Sequence, residues 1–423
     1  MSARELLLGS FRAALAAADP LQAVPRELPE PPRGRTVVVG AGKAAGAMAV
    51  AVESQWPASA PLEGVVITRY GHGLPARRIR VVEAGHPVPD EHGEAAAREI
   101  LALARALGPD DLLLALISGG GSALLSLPVA GISMADLKAV TRALLASGAP
   151  IQDMNTVRKH LSAIQGGQLA LATRARVVAL VISDVTGDDP THIASGPCAP
   201  DPSTYGEAIE ILARFGVAAP GPIARHLERG ARGEIAETPK PGDAAFARVE
   251  NRVIATAHGS LALAAAYVQQ RGVAPLVLGD SVTGEASEVA KVYGALARQV
   301  RRHAHPVQPP VALISGGETT VTLRGKGRGG RCTEFLLSLA VDLGGLDDTW
   351  ALACDTDGID GSEDNAGAIL TPDALERAGA KGLNARRMLA DNDGYGFFSA
   401  LGDLVVTGPT RTNVNDYRVI LLA

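Results

Sequence analysis

Short apolar runs alternate with longer segments of helical periodicity through most of the sequence, and this alternation limits the fold more than any other feature. The runs predicted as strands are 36–39, 64–68, 112–117, 177–182, 252–256, 311–314, 319–323, 350–354, 404–407 and 418–422. The segments predicted as helices include 91–107, 134–147, 258–271, 284–303 and 332–343. Several strands are apolar throughout, as in parallel strands buried on both faces. The sequence therefore predicts an α/β fold with parallel or mixed sheets flanked by helices.

The length of 423 residues predicts more than one domain. Residues 217–250 are rich in Ala, Pro, Gly and charge, which is typical of a boundary. We predict an N-terminal α/β domain over 1–235 and a C-terminal α/β domain over 236–423. The similar strings LISGGGSALL at Leu116 and LISGGETTV at Leu313 fit two α/β halves, although chance also explains so short a match.

Composition excludes several classes of protein. A net charge of -5 and an aromatic content of 3% argue against nucleic acid as a partner. An apolar content of 47% argues against disorder. The cysteines Cys198, Cys332 and Cys354 have no zinc-binding spacing and fit a reduced, cytoplasmic compartment.

No segment is predicted to cross or target a membrane. The N-terminal stretch carries Glu5, Arg12 and Asp19, so it reads as an amphipathic helix and not as a signal peptide. Residues 112–135 lack charge but contain a glycine loop and Pro128, which favour a strand, a loop and a short helix over a bilayer span.

The first candidate site is the string TVVVGAGKAAG at 36–46, where a strand ends in glycines and a helix begins. Gly40, Gly42 and Lys43 in such a turn predict an anion site. The string also fits the loose dinucleotide pattern G-x-G-x-x-A, but Thr68-Arg69 stands where an acid is expected after the second strand. A packed turn with a solvated lysine is the alternative.

The second candidate site follows the strand at 112–117. Its loop and the residue that opens the next helix are Ser118, Gly119, Gly120, Gly121 and Ser122. Three glycines allow backbone amides to surround an oxyanion, and a flexible loop is the alternative.

Two further motifs lie before residue 200. Asn155 and Arg158 belong to the string MNTVRKHLS, at the start of an apparent helix, and suit either anion binding or a solvated helix face. In SDVTGDDPTHIASGP, Asp184 and Asp188 are close enough along the chain to share one Mg²⁺, with Asp189 beside them.

The C-terminal half holds one basic and one acidic motif. Arg324, Lys326, Arg328 and Arg331 precede an apolar-faced helix, and an arginine at that position suits a transferring phosphoryl group better than RNA. Asp355, Asp357 and Asp360 follow a strand, where they suit Mg²⁺ or a substrate hydroxyl as well as an Asx-turn loop. In the C-terminal run, Thr407, Asn413 and Asn415 either line a pocket or shape a hairpin.

Glycine nests, fixed cations and paired carboxylates are together the groups that phosphoryl transfer uses. The sequence also resembles the class II glycerate kinases, whose C-terminal half contains the region called MOFRL. The motifs that carry the resemblance are GAGKAAG, EAGHPVPDEHG, LISGGGSALL, MNTVRKHLS, SDVTGDDPTHIASGP, ISGGETTVTL, GRGGR, DTDGIDG and VTGPTRTNVNDYRVIL. These motifs occur in this order along the chain. The resemblance as a whole extends from about residue 5 to 422, with the MOFRL region at about 311–420.

This resemblance implies ATP-dependent phosphorylation of D-glycerate at its 2-hydroxyl, with Mg²⁺, in a cleft between two α/β domains. It implies Lys43 and Arg331 as the catalytic cations. Where the family commonly has Asn and an acidic or amide pair after that arginine, this chain has Cys332, Thr333 and Glu334. A homodimer is one assembly open to such a protein.

We therefore assign a role to each candidate residue. ATP phosphates are expected on Gly40, Gly42 and the 118–122 loop, and Mg²⁺ on Asp184 and Asp188. Asp355 or Asp357 is expected to orient the attacking hydroxyl, and Asn155, Arg158 and Asn413 to bind substrate. The alternatives are an NAD(P)H-dependent hydroxypyruvate reductase, which would use the G-x-G-x-x-A turn, and a sensor that binds its ligand without turnover.

Overall fold

The computed structural model describes all 423 residues and contains two six-stranded sheets. The chain separates into two compact units. The first unit is Pro20–Ile254, and the second unit combines Met1–Asp19 with Ala255–Ala423.

The strands are β1 (Thr36–Ala41), β2 (Leu62–Arg69), β3 (Ile79–Ala84), β4 (Leu112–Ile117), β5 (Arg176–Ile182), β6 (Val249–Ala255), β7 (Ala274–Gly279), β8 (Val311–Ser315), β9 (Thr349–Asp355), β10 (Gly367–Leu370), β11 (Leu404–Val405) and β12 (Asp416–Leu422).

The helices are α1 (Ala3–Ala17), α2 (Pro20–Glu27), α3 (Ala45–Gln55), α4 (Glu91–Arg105), α5 (Gly121–Leu124), α6 (Met134–Ala146), α7 (Ile151–His160), α8 (Gln168–Leu171), α9 (Tyr205–Arg214), α10 (Gly221–Ala231), α11 (Ala257–Gln269), α12 (Ala286–His303), α13 (Arg331–Leu343), α14 (Ala374–Ala380), α15 (Ala385–Ala390) and α16 (Gly394–Leu401). None of them combines the length and the hydrophobicity that crossing a bilayer requires.

The sheet of the first unit has the strand order β3-β2-β1-β4-β5-β6. β1 pairs in parallel with β2 on one side and with β4 on the other. Both β1 and β4 are buried along their whole length, which explains their apolar sequences. Because the chain order reverses between β1 and β4, the loops that follow these two strands meet at the carboxyl edge of the sheet, where α/β proteins bind ligands.

The sheet of the second unit has the order β11-β10-β9-β12-β8-β7. β7 and β8 are parallel, whereas β12 is antiparallel to both β8 and β9. One face packs on α12 and α13 through Leu336, Phe335 and their neighbours. The other face packs on α1 and α11 through Leu7, Phe11 and Leu261.

The local sequence explains where several helices begin. Capping boxes, in which a hydroxyl and a carboxylate three residues later satisfy each other's backbone amides, open α1, α6 and α9 with Ser2/Glu5, Ser133/Asp136 and Thr204/Glu207.

The predicted α/β class is confirmed: one sheet is parallel, one is mixed, and helices flank both. One strand prediction is wrong. Residues 319–323 form a loop, in which Thr320 makes a single β-bridge with Glu285. The N–H and the hydroxyl of Thr322 donate to the Glu285 carboxylate, and these bonds hold the loop in place of strand pairing. The strand prediction also omitted β3, β7 and β10: β3 contains Arg80 and Glu83, β10 has four residues, and β7 contains Pro275 and lies at the edge of its sheet.

The compact units differ from the predicted domain ranges at two places. Residues 217–250 contain α10 and lead into β6, which adds a strand to the first sheet and moves the end of that unit to Ile254. α1 packs with α11, β9 and β12, and therefore belongs to the second unit.

Candidate functional site

The loop after β1 in the first unit is tied to the loop after β4 by backbone hydrogen bonds. The N–H of Lys43 donates to the carbonyl of Gly119 (2.8 Å), and the N–H of Ala44 donates to Ser118 Oγ (3.1 Å). Gly42 has φ +141°, and a Cβ there would lie 2.1 Å from Ser118 Oγ. Since the amides of this turn are taken up within the protein, an anion beside it would meet the Lys43 ammonium and not the backbone.

The loop after β4, unlike the loop after β1, has backbone amides that are available to bind an anion. The amides of Gly119 and Gly120 make no hydrogen bond within the protein. Gly120 is left-handed (φ +81°), and a Cβ on it would lie 3.0 Å from His86 Nε2 and 3.5 Å from Lys43 Cγ. The structure therefore places two unbonded amides beside Lys43 at the reversal point of the sheet. This is the geometry of an anion site.

A chain of hydrogen bonds extends from this loop to α7. Ser122 Oγ lies 2.8 Å from Ser195 Oγ, which donates to Asn155 Oδ1 at 3.2 Å. Arg158 Nη1 donates to the same oxygen at 3.3 Å. Ser122, Asn155 and Arg158, predicted from separate motifs, are thus brought together. Ser195 was not predicted as a site residue.

Ser195 lies in an unusual backbone conformation. Ala194 and Ser195 both have positive φ, at +51° and +59°, a conformation that residues with a Cβ adopt at a cost in energy. Ala194 packs so closely that a Cβ on Gly121 would lie 2.5 Å from its own. The glycine of one loop and the strained turn of the other therefore fit each other. The sequence signals for this turn were its position at the end of the acidic motif and the glycine that follows it, Gly196, whose φ is +58°.

Arg158 is a half-buried cation without a carboxylate partner. Its one hydrogen bond goes to Asn155, and burial lowers the pKa of its guanidinium. It lines a small cavity together with Ser122, Ser162 and Gln165. A cation in this setting is stabilised by a bound anion, so the solvated helix face considered from the sequence does not describe it.

The acidic loop after β5 lies at the same edge of the sheet. Asp184 and Asp188 are both half-buried, and Asp188 has φ +55°. Asp189 accepts the N–H of Thr191 and so shapes its own turn. No three His, Cys, Asp or Glu side chains of the chain gather around one metal position. The loop therefore suits Mg²⁺ only in the mode in which one or two carboxylates share the ion with substrate phosphates and water.

In the second unit, Arg331 opens α13 and is surrounded by carboxylates. Its Nε lies 2.7 Å from Asp416 Oδ1, its Nη2 lies 2.8 Å from Asp355 Oδ2, and its Nη1 lies 3.1 Å from Glu318 Oε1. Burial alone would lower the pKa of Arg331, but the charges of Asp416, Asp355 and Glu318 raise this pKa well above its ordinary value. Arg331 and Asp355 are thus direct neighbours, and Glu318 and Asp416 complete a group that the motifs did not predict.

The other predicted residues of this unit lie in two adjoining loops. The N–H of Asp357 donates to Asp355 Oδ1, and Asp357 Oδ1 accepts the N–H of Ile359, as in an Asx turn. The buried Asn413 accepts the N–H of Asn415. The Asn415 carbonyl in turn accepts the N–H of Thr356, so the segment around Asn413 is bound to the Asp355–Asp357 turn.

Asp360 holds the start of α13 in place. Its carboxylate accepts the amides of Cys332 and Thr333 at 2.9 Å and the hydroxyl of Thr333 at 2.7 Å. Its complete burial raises its pKa in spite of these bonds. Asp360, a candidate ligand in the acidic motif, therefore caps the helix that carries Arg331.

Two family models match this chain. Residues 6–228 match the family model described as a domain of unknown function, DUF4147, and residues 311–416 match the MOFRL family. A protein of Agrobacterium vitis with the name "Putative hydroxypyruvate reductase" is 53% identical over 100% of this chain and 95% of its own length. The glycerate 2-kinase of Pyrococcus horikoshii is 38% identical over 100% of this chain and 98% of its own length.

A solved structure extends the comparison to the fold. The crystal structure of glycerate kinase from Thermotoga maritima has a TM-score of 0.88 and 36% identity, and the match covers 99% of both chains. The fold and the motifs define a class of α/β protein in which a glycine loop lies at the reversal point of a parallel sheet and a mixed sheet contains the MOFRL region. The chain belongs to the DUF4147–MOFRL family, the family of the class II glycerate kinases.

Proposed function

We propose that this protein is a glycerate 2-kinase, which transfers the terminal phosphoryl group of ATP to the 2-hydroxyl of D-glycerate. The observation that carries the proposal is the loop after β4, whose Gly119 and Gly120 amides lie beside Lys43 at the reversal point of the sheet. Full-length relatives at 38% and 37% identity are named glycerate 2-kinases, and those names point to the same reaction.

The reductase alternative fits the first loop poorly. A dinucleotide fold binds its pyrophosphate through the amides at the start of the helix after β1. Here the amides of Lys43 and Ala44 donate to Gly119 and Ser118. β2 ends on Thr68-Arg69, without the carboxylate that would hold a ribose. The G-x-G-x-x-A string is therefore a strand–helix turn that positions Lys43.

In the proposed reaction, Arg158 binds the carboxylate of glycerate. Its guanidinium lacks an acidic partner and faces a cavity shared with Ser122 and Gln165. Asn155 fixes one edge of the guanidinium, and Ser195 fixes Asn155. A carboxylate bound to a held guanidinium is oriented as well as attracted. We assign Asn413 of the second unit to substrate binding as well.

The phosphates of ATP are assigned to the loop after β4. The unbonded amides of Gly119 and Gly120 and the Lys43 ammonium supply positive charge for the oxygens of the terminal phosphate. α5 begins at Gly121, which packs against Ala194, and not at Ser122, which is the second residue of the helix. Gly40 and Gly42 contribute by allowing β1 and its turn to approach β4 closely.

Asp184 and Asp188 would hold Mg²⁺ jointly with the phosphates. The ion, when bound, neutralises phosphate charge and holds the phosphate chain in place. The two carboxylates belong to a loop whose turn Asp189 closes through the N–H of Thr191, so they are kept at the carboxyl end of β5.

Arg331 and the Asp355–Asp357 turn are assigned to the transfer step. The bond between ADP and the terminal phosphorus breaks as the 2-hydroxyl oxygen of glycerate bonds to that phosphorus, and the hydroxyl proton is released. Because the transition state is loose, a strong base is not required. Asp355 or Asp357 orients the hydroxyl, and Arg331 and Lys43 stabilise the charge on the migrating group.

One incubation tests the proposal. The protein is mixed with ATP, Mg²⁺ and D-glycerate, and the products are identified by phosphorus NMR. We expect ADP and 2-phosphoglycerate. Oxidation of NADPH by hydroxypyruvate, without ADP formation from glycerate, would establish the reductase instead. Binding of glycerate without either turnover would establish a sensor.

A further inference from the structure

The three carboxylates around Arg331 are not equivalent. Asp416 is fully buried, and its second oxygen contacts Arg418. Asp355 is also buried, and its second oxygen accepts the N–H of Asp357. Both carboxylates are therefore fixed by the fold on both of their oxygens.

Glu318 also contacts Arg331, but it differs from these two carboxylates in its exposure and in the number of its partners. Its side chain is 55% exposed, and its contact with Arg331 Nη1 at 3.1 Å is its one ion pair. It stands in the turn after β8, directly after Gly317, whose φ is +100°. An exposed carboxylate of this kind contributes little to stability and can move into solvent at small cost.

We infer that Glu318 occupies the edge of Arg331 that receives the phosphoryl group, and that it leaves this edge when the nucleotide binds. The inference rests on the proposed function. All three guanidinium nitrogens of Arg331 have carboxylate partners. An incoming phosphate therefore has to replace one of them, and only Glu318 is exchangeable. Glu318 thus competes with the phosphate, whereas Asp355 and Asp416 hold Arg331 in position.

The test compares Glu318→Gln with a matched control. Glu363→Gln removes the same charge from the partner of Arg328, in the same unit, where the pair spans 3.4 Å. For Glu318→Gln we expect the KM for ATP and the inhibition constant of 2-phosphoglycerate to fall about two- to fivefold. The KM for D-glycerate should stay unchanged. Glu363→Gln should change none of the three constants.

Two results would overturn the inference. The first is an unchanged KM for ATP in Glu318→Gln together with a lower kcat, because Glu318 would then orient Arg331 and not compete with phosphate. The second is an equal fall in the KM for ATP in both variants, which would reflect the general loss of negative charge. Absence of ADP formation by the wild-type enzyme would refute the proposed function itself, so the two failures are distinguishable.

Discussion

Asp355 of β9 and Asp416 of β12 are direct partners in the antiparallel register, and the guanidinium of Arg331 contacts both of them. Like charges opposite each other destabilise a sheet, and both of these carboxylates are buried. Arg331 is therefore needed by the fold, whatever it does in catalysis.

This relationship predicts a stability defect in Arg331→Leu. Removing one member of a buried charge group leaves the others uncompensated, which costs about 3–5 kcal/mol. We expect the free energy of unfolding, measured in urea, to fall by that amount. Arg328→Leu is the control, because Arg328 is exposed and pairs at 3.4 Å. Equal stability of the two variants would show that Arg331 does not neutralise the carboxylate pair.

Arg158 gives a prediction for substrate binding. Arg158→Met should raise the KM for D-glycerate about ten- to a hundredfold, because a hydrogen bond to a charged group contributes roughly 1.5–3 kcal/mol. The KM for ATP should change little. Arg142→Met on α6 is the control, since Arg142 is bonded only to a carbonyl of its own helix. A normal KM for glycerate in Arg158→Met would place the substrate carboxylate elsewhere.

The sequence predicted the parts of the molecule that depend on local patterns. Strands such as β1 and β4 are buried on both faces and therefore apolar throughout, and the glycine loops after them follow from the same pattern. The resemblance to a known family added the reaction and the proposal that Lys43 and Arg331 are catalytic, neither of which spacing alone specifies.

The sequence did not predict contacts between distant positions. Ser195 lies within hydrogen-bond distance of Asn155, forty positions earlier, because Ala194 and Ser195 adopt a positive φ that their residue types do not predict. Asp360 was grouped with Asp355 as a ligand, but the fold turns its carboxylate towards the amides of α13. Such contacts depend on strand order and register, which cannot be predicted from the hydrophobic periodicity of the sequence.

Lys43 gives a prediction for the chemical step. Lys43→Met should lower kcat about a hundred- to a thousandfold, as removal of a single group that stabilises transition-state charge does in other enzymes. Because the backbone of residue 43 holds the turn through its N–H, we expect the thermal unfolding temperature to change little. Lys43→Arg should restore part of the activity. An unchanged kcat in Lys43→Met would remove Lys43 from the mechanism.

Glu334 gives a prediction for the pH dependence of stability. Its carboxyl is buried within α13, and this burial raises its pKa from 4.5 to about 7, although Asn392 donates a hydrogen bond to it. Between these two values the folded state binds more protons than the unfolded state. The protonated Glu334 carboxyl therefore contributes its full stabilisation of the folded state below pH 4.5, and this stabilisation is lost as the pH rises through about 7.

The variant Glu334→Gln should remove this pH dependence, because glutamine keeps the acceptor for Asn392 without the titration. Relative to wild type, its free energy of unfolding should improve by about 2 kcal/mol more at pH 8 than at pH 5. Urea unfolding at both pH values measures the difference. Glu288→Gln on α12 serves as the control, since Glu288 is exposed. If Glu334→Gln and wild type lose stability in parallel between pH 5 and 8, the carboxyl of Glu334 titrates as it would in water.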